Sequence, residues 1–397
     1  MTQNRASLHN RPTEFRGHPC LDSVSYTDIT DTYHKRALNM HKPITYAEID
    51  LDALQQNLCR ARQFAGSRKL MAVIKADAYG HGMEDVARRL SNHCDGFAVA
   101  RFEEVMALRK AIPNARILWL SGPSNSFECT QALNSNIDLV IHDFSQLALL
   151  KKPECRIGKH RLWLKMDTGM HRLGFLPNDF DRVFNAVHTS FPDSEITLIS
   201  HFSSADEPES GITNKQVSIF SNHLPNKKLP LSLCNSAALM YHKTIADDWV
   251  RPGLMLYGVP PCPERQNALV PVMSFFSSVI AIKEIAAGEC VGYGCRWTAA
   301  EKTRIAIVAA GYGDGYPVQA PDGTPVWVRG KRCPIVGRVS MDMLCVNCTD
   351  VDELSIGEQV ELWGKNLPVS EIADYCKLIP YALLTGVTKR VKRIPVN

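Results

Sequence analysis

The chain has 397 residues, 45% of them hydrophobic, and its 45 Lys and Arg against 41 Asp and Glu give a net charge of +4. This composition is that of a folded protein, and the length allows two or three domains, or one large barrel with an addition. The charge is too small to predict a nucleic-acid partner, and the longest uncharged run, residues 266–282, lacks the roughly 20 apolar residues of a membrane span.

Residues 1–40 are predicted to form a flexible extension. They are polar, show neither helical nor strand periodicity, and include the breakers Pro12, Gly17 and Pro19. No apolar signal-peptide core is present, and the 13 cysteines are scattered and odd in number. These features predict a cytoplasmic protein without a disulfide framework. Cys345 and Cys348 form an isolated C-x-x-C pair without a second pair at zinc-like spacing, so no metal site is predicted.

A repeated pattern begins near residue 69, in which a short apolar run is followed by a loop and a stretch of helical character. The apolar runs lie at residues 70–74, 96–100, 117–120, 137–141, 162–166, 196–200, 229–233 and 250–256. Strands that alternate with helices predict parallel βαβ units. Eight such units within about 200 residues favour a closed (β/α)₈ barrel over an open doubly wound sheet. We assign residues 41–263 to this TIM-like barrel.

The pattern changes after about residue 263, where helical periodicity becomes scarce. Short β-rich runs occur at residues 279–285, 304–310, 326–328, 333–339, 343–346 and 359–363, and Gly, Pro and Asp turns separate them. Residues 264–397 are therefore predicted to form an all-β second domain. The predicted fold class is α/β, with an N-terminal (β/α)₈ barrel followed by a C-terminal β domain.

Lys75 is the first candidate for chemistry, because it directly follows the apolar strand residues of MAVIKADAYGHG. A lysine in this position usually extends to solvent. If it is instead desolvated, its pKa falls and its amine becomes suited to forming a Schiff base.

Other reactive residues follow later strands, where barrel enzymes build their active sites. These residues are Lys165, Arg172, His201, Ser236, Arg251 and Gly253. The loops after strands seven and eight of a barrel commonly bind phosphate, and Ser236 and Gly253 lie there. A Schiff-base lysine beside a phosphate site indicates pyridoxal 5'-phosphate.

Several strings together resemble the pyridoxal-phosphate-dependent alanine racemases. They are VIKADAYGHG, KMDTGMHRLG, RPGLMLYG, GYGDGYP and GRVSMDM, and the match extends from about residue 42 to 394. The resemblance implies a barrel followed by a β domain, with residues 44–50 packed against the latter. It also implies a cytoplasmic homodimer with shared active sites, which interconverts L- and D-alanine and supplies D-alanine for peptidoglycan.

The resemblance further implies which residues bind the cofactor. Lys75 would hold pyridoxal 5'-phosphate covalently, and Arg251 would lie against its pyridine nitrogen with support from His201. The phosphate would be bound by Tyr79, Ser236, Gly253, Leu254 and Tyr381.

The remaining implied roles concern the substrate. Lys75 would be one catalytic base, and Tyr293 of the other subunit would be the opposite base. Arg172 and Met341 would position the alanine carboxylate. Tyr312 and Asp342 would line the entrance from the partner subunit, and Lys165 stands where members of the family often carry a carbamylated lysine.

Three other functions remain open from the sequence. A barrel-type decarboxylase is disfavoured by Arg251, because such enzymes place a carboxylate near the pyridine nitrogen. A non-catalytic pyridoxal phosphate carrier would lack the second domain. A racemase of broader amino-acid specificity remains open, because one sequence does not define the shape of the substrate pocket.

Overall fold

A computed structural model describes residues 42–155, 159–262 and 269–397. The predicted flexible extension, residues 1–40, lies outside the described residues. All the features below belong to the compact unit of residues 44–397. Its first elements are strand β1 (Tyr46–Asp50) and the helix Leu51–Ala65. No helix within the described ranges has the length and the apolar character needed to cross a bilayer.

Eight parallel strands form a nearly closed barrel, as the alternating pattern predicts. They are β2 (Lys69–Val73), β3 (Gly96–Val99), β4 (Ile117–Trp119), β5 (Asp138–Ile141), β6 (Arg161–Lys165), β7 (Glu195–Ile199), β8 (Leu231–Ser232) and β9 (Trp249–Val250). Neighbouring strands pair in sequence from β2 to β8, and β9 pairs with β2. Single backbone hydrogen bonds span the gap between β8 and β9, such as Arg251 N to Cys234 O at 2.8 Å.

The eighth strand is shorter than the predicted run of residues 250–256. Pairing stops at Val250 because Pro252 has no N–H to donate to a ladder. The chain then turns through the 3₁₀ segment Leu254–Tyr257, whose side chains are buried although they are not in a strand. The apolar run is thus a buried turn, and this turn brings Arg251 and Gly253 to the mouth of the barrel.

Helices follow the barrel strands, as the alternating pattern predicts. They are Met83–Leu90, Phe102–Ala111, Ser126–Asn134, Phe144–Leu150, Pro177–Ser190, Ile212–Asn222 and Ser236–Tyr241. In the first of these, Met83, Val86, Ala87 and Leu90 are buried at spacings of three and four residues, which places them on the face toward the barrel.

The C-terminal part is mainly antiparallel sheet. Its strands are β10 (Met273–Ile285), β11 (Cys290–Val291), β12 (Trp297–Thr298), β13 (Thr303–Val308), β14 (Pro325–Val328), β15 (Lys331–Pro334), β16 (Leu344–Asn347), β17 (Gln359–Trp363) and β18 (Lys392–Val396). Strand β1 joins this sheet, antiparallel to β10 and parallel to β18. Two helices, Val369–Cys376 and Pro380–Gly386, were not predicted, because each is too short for its periodicity to stand out.

Within the described residues, a disulfide joins Cys290 and Cys295. The ten other cysteines in the described part of the chain are free. Of the C-x-x-C pair, Cys345 lies within β16 and Cys348 directly follows that strand.

A buried ion cluster joins the N-terminal ends of the barrel strands β4, β5 and β6. Asp138 exposes no surface. It accepts hydrogen bonds from Arg116 Nε at 2.7 Å, Arg161 Nε at 2.5 Å and Trp163 Nε1 at 2.9 Å. At this face of a barrel, such a cluster contributes to stability rather than to catalysis.

Replacing Asp138 with Ala is expected to lower the free energy of unfolding by about 3–5 kcal/mol, because two guanidinium groups lose their buried counter-ion. Urea titration followed by circular dichroism measures this change. As a control, Asp179→Ala removes an exposed partner of Arg182 and should change the free energy by less than about 0.5 kcal/mol. Equal effects of the two substitutions would contradict the role assigned to Asp138.

Candidate active site

A cavity of about 690 Å³ lies at the C-terminal ends of the barrel strands. Residues at or just after the ends of all eight strands line it, and Ile379, Pro380 and Tyr381 of the C-terminal part close one side. Cavities of this size bind small molecules and cofactors. The predicted residues that line it are Lys75, Tyr79, Lys165, Arg172, His201, Ser236, Arg251, Gly253, Leu254 and Tyr381.

Lys75 lies half-buried two residues after the end of β2. Desolvation lowers the pKa of its amine, and the nearby charge of Arg172 lowers it further, whereas Glu104 acts in the opposite direction. A larger fraction of the amine is therefore neutral at a given pH than for a lysine in water. The neutral amine is the form that attacks a carbonyl group and accepts a proton.

A left-handed turn follows Lys75. Ala76, Asp77, Ala78 and Tyr79 have φ between 52° and 55°, a conformation that costs about 1–2 kcal/mol for each residue other than glycine. Contacts from outside the turn hold it, because Glu104 accepts the N–H of Ala76 at 2.6 Å. The turn directs Tyr79 back toward the strand ends.

Tyr79, Ser236 and Gly253 meet at one end of the cavity. The Ser236 hydroxyl oxygen accepts the N–H of Gly253 at 2.9 Å. A Cβ atom built on Gly253 would lie 2.6 Å from the Tyr79 hydroxyl oxygen, so a residue with a side chain at position 253 would collide with this tyrosine. The ring of Tyr381 lies 5.7 Å from that of Tyr79. All four residues line the same cavity.

Arg251 is buried, and its hydrogen bonds within the described part of the chain go to neutral groups. Its Nη1 donates to Ser232 Oγ at 2.5 Å, and its Nη2 donates to the Ser200 carbonyl oxygen at 2.7 Å. His201 lies beside it, and burial together with the Arg251 charge lowers the pKa of His201 well below its usual range. The imidazole is therefore neutral at physiological pH, and Arg251 supplies the positive charge at this position.

Lys165 adds a further cation to the cavity. Burial, followed by the charges of Arg251 and Arg172, lowers the pKa of Lys165 to about 8. Together with Lys75, these side chains make the cavity strongly cationic, and such a site attracts anions.

The loop that carries Arg172 is shaped by Asp167. The carboxylate of Asp167 accepts the N–H groups of Gly169, Met170 and His171 at 2.9–3.1 Å. His171 has a φ of 53°, so the chain reverses direction just before Arg172. The bonds to Asp167 thereby hold the Arg172 loop at the rim of the cavity.

Asp247 is a partly buried carboxylate near Arg251 that the sequence did not predict. Its carboxylate accepts the N–H groups of Leu233 and Cys234 at 2.8 and 2.9 Å, and burial raises its pKa to about 6. The nearby charge of Arg251 acts in the opposite direction. Nothing in the sequence marks Asp247, because its partners follow strand β8 and lie 13 or more residues earlier in the chain.

Four predicted residues do not line the cavity of their own chain. They are Tyr293, Tyr312, Met341 and Asp342, and we call them the tyrosine face. Their side chains are exposed, with Tyr293 70% and Met341 53% accessible.

Backbone contacts join the segments of the tyrosine face. Tyr312 N donates to Ser340 O at 3.0 Å, and Gly313 N donates to Met341 O at 2.8 Å. The turn that carries Tyr293 packs against residue 337, because a Cβ on Gly337 would lie 2.7 Å from Val291 O. The four side chains thus belong to one surface of the C-terminal part.

Comparisons with known proteins cover most of the chain. The family model described as "Alanine racemase, N-terminal domain" matches residues 49–261, and the model described as "Alanine racemase, C-terminal domain" matches residues 272–395. The chain is 45% identical over 355 residues to an alanine racemase of Shewanella woodyi, with 88% of this chain and 98% of that protein covered.

Solved structures of alanine racemases also match the chain. The biosynthetic alanine racemase from Pseudomonas aeruginosa matches with a TM-score of 0.86 and 42% identity, over 90% of this chain and 100% of that one. The alanine racemase from Bartonella henselae with covalently bound pyridoxal phosphate matches with a TM-score of 0.83 and 30% identity, over 89% of this chain and 100% of that one.

Proposed function

The chain belongs to the alanine racemase family, and we propose that Lys75 and Tyr293 are the two bases with which it interconverts L- and D-alanine. The observation that carries this proposal is the position of Lys75, a desolvated amine at the mouth of a barrel among three other cations. An exposed tyrosine on a separate surface of the same chain supports the second base.

The residues of the cavity fit pyridoxal 5'-phosphate, the cofactor of the family. The part of the cavity at Tyr79, Ser236 and Gly253 suits a phosphate, since hydroxyl and backbone groups converge there and a Cβ at residue 253 would collide with the Tyr79 hydroxyl. The Lys75 amine suits the aldehyde, and the Arg251 guanidinium suits an unprotonated ring nitrogen. When bound, the cofactor supplies an electron-withdrawing ring that makes the α-proton of an attached amino acid acidic.

Racemisation requires one group to remove the α-proton from one face of the substrate and another group to deliver a proton to the opposite face. Lys75 holds or moves the proton at its Nζ atom on one side. A tyrosine in water has a pKa of about 10, so a tyrosine base requires a neighbouring cation at neutral pH. Arg172, at the rim of the cavity, is the cation that we assign to this task, and it also binds the substrate carboxylate.

We further propose a homodimer in which the tyrosine face of one subunit covers the cavity of the other. Two observations support this arrangement: Tyr293 is not among the residues that line the cavity with Lys75, and the tyrosine face exposes large apolar side chains. Met341 would then contact the substrate carboxylate of the partner site. Tyr312 and Asp342 would line its entrance.

We also propose that Lys165 is carbamylated, because a carbamate would place a negative charge among Lys75, Arg172 and Arg251. Only the neutral amine reacts with carbon dioxide, and the reaction releases a proton. Since burial lowers the pKa of Lys165 to about 8, the carbamate should be favoured above pH 8 and decrease below it.

Carbon-13 NMR with labelled bicarbonate tests this proposal. A carbamate resonance is expected in the wild type and should be absent from Lys165→Arg, whereas Lys110→Arg, on an exposed helix position, should retain it. Lys165→Ala is expected to raise the KM for alanine about 10- to 100-fold, because Arg172 loses a charge-assisted partner. An unchanged NMR spectrum in Lys165→Arg would contradict the assignment.

Gly253→Ala is expected to weaken pyridoxal phosphate binding about 5- to 150-fold, because the new methyl group overpacks the site against the Tyr79 hydroxyl. Fluorescence titration of the apoenzyme measures the Kd. In the Tyr79→Phe background the same substitution should raise the Kd by a smaller factor, because the oxygen that collides with the new methyl group is gone. An equal increase of the Kd in both backgrounds would argue against the steric explanation.

Three finer assignments accompany the function. We propose that the D-alanine produced serves peptidoglycan synthesis, as is general for the family. We propose a cytoplasmic location, which the ten free cysteines support. We propose domain limits of residues 41–263 and 264–397, which the limits of the two family models support.

Isotope exchange tests the activity. The purified protein is loaded with pyridoxal phosphate and incubated with L-alanine in D₂O. The optical rotation is expected to decay to zero while deuterium enters the α-carbon. Formation of ethylamine would instead indicate a decarboxylase, and a bound cofactor without exchange for any amino acid would indicate a carrier.

A further inference from the structure

Two cysteines enclose the proposed base Tyr293. Cys290 and Cys295 are joined by a disulfide, and their Cα atoms lie 5.1 Å apart, within the range in which cysteines bridge without backbone movement. The bond closes a ring of six residues, CVGYGC, with Tyr293 as its fourth member.

The start of this ring, at Cys290 and Val291, is held by strand pairing and by burial. Strands β11 and β12 pair Cys290 with Thr298 and Val291 with Trp297, and Val291 is buried against Ile305 and Val336.

At the tip, Tyr293 is exposed between Gly292 and Gly294, which have φ of 74° and 73°. Glycine leaves the backbone more freedom than any other residue, so the chain on both sides of Tyr293 is free to move once the ring is open. The disulfide is therefore the covalent bond that restrains the position of the Tyr293 side chain.

We propose that Cys290 and Cys295 form a reversible thiol–disulfide modification site, which sets how firmly the Tyr293 turn is held and thereby the rate of the reaction. This inference rests on the proposed role of Tyr293 as a base. The oxidised pair holds the turn in one arrangement. The dithiol releases it, and ordering the turn in the transition state then costs conformational entropy.

The oxidant is a low-molecular-weight disulfide, such as oxidised glutathione. The thiolate of one cysteine attacks a sulfur of this disulfide, forms a mixed disulfide and expels one thiolate. The thiolate of the second cysteine then attacks the sulfur of the first, forms the Cys290–Cys295 bond and expels the second thiolate. Two protein thiols lose two electrons and two protons, and the small disulfide is reduced to two thiols. Reduction by glutathione reverses both steps.

Exposure distinguishes this pair from most other cysteines of the described chain. Cys290 and Cys295 are both exposed on the single subunit, where a tripeptide disulfide reaches them. Cys129, Cys155 and Cys234 are buried. Cys59 is exposed but free, and it provides a matched control for oxidation that does not involve the turn.

The first half of the test measures the bond itself. The full-length, cofactor-loaded protein is equilibrated in glutathione buffers from fully reducing to strongly oxidising, and its free thiols are then alkylated. Mass spectrometry of the peptide that contains residues 290–295 should show a transition from two alkylated cysteines to a disulfide. Alkylation of both cysteines in every buffer would overturn the proposal, whether or not the protein is a racemase.

The second half measures racemisation in the same samples. Reduction is expected to lower kcat by about 3- to 10-fold, the effect of losing part of a loop-closure restraint, with a smaller change in KM. Cys290→Ser and Cys295→Ser should show the reduced rate in all buffers, and Cys59→Ser should respond like the wild type. A rate that does not follow the redox state, or that follows it equally in Cys290→Ser, would overturn the proposal. Absence of racemisation in every buffer would instead count against the proposed function.

Discussion

Tyr293→Phe is expected to lower kcat about 10²- to 10⁴-fold in both directions, the usual contribution of one general acid–base group. The substitution removes the phenol that we propose accepts or delivers the α-proton on one face, and it leaves Lys75, the proposed base on the other face. One enantiomer of alanine should therefore still exchange its α-proton with solvent while racemisation is nearly lost. NMR of each enantiomer in D₂O, combined with a coupled assay of the product, separates exchange from racemisation.

Tyr375→Phe is the control for this substitution, because Tyr375 is an exposed tyrosine on the helix Val369–Cys376, outside the tyrosine face. It should leave kcat unchanged. Equal loss of exchange from both enantiomers in Tyr293→Phe would contradict a base on each face, since a single base would then serve both.

Lys75→Ala is expected to have the larger effect, a decrease in kcat on the order of 10⁴-fold or more, because the substitution removes both a proposed base and the proposed covalent attachment of the cofactor. Covalent attachment is measured by borohydride reduction followed by mass spectrometry. The wild type should gain the mass of the reduced cofactor at Lys75, and the variant should gain none.

Lys110→Ala, on an exposed position of the helix Phe102–Ala111, should behave as the wild type in both measurements. Added methylamine should restore part of the Lys75→Ala rate, since a free amine replaces the missing base. A cofactor that attaches to another lysine with full activity would contradict the assignment.

The barrel was predictable because its strands are buried on both sides and therefore appear as short apolar runs between helical stretches. The eighth predicted strand was too long, because burial alone does not distinguish a strand from a buried 3₁₀ turn. Pro252 was the available signal. The helices Val369–Cys376 and Pro380–Gly386 were not predictable from a pattern that spans only two turns of helix.

The site was predictable where it depends on strand ends, as for Lys75, Lys165 and Arg251. It was not predictable where distant contacts define it. The left-handed turn of residues 76–79 contains no glycine, and the bond from Ala76 N to Glu104 joins it to the next βα unit. Asp247 likewise accepts a hydrogen bond from Leu233, which is remote in sequence. The residues alone mark Tyr293 as a turn, and only the family resemblance identifies it as a base.

Subunit complementation tests the shared two-base site most directly. Lys75→Ala and Tyr293→Phe are each expected to be nearly inactive in pure samples of the proposed dimer, and they are mixed in equal amounts under conditions that exchange subunits. Each heterodimer would combine the intact Lys75 of one subunit with the intact Tyr293 of its partner in one of its two sites. Random pairing therefore predicts recovery of about a quarter of the wild-type activity. Heterodimers that form, as shown by native mass spectrometry, but remain inactive would contradict the shared site.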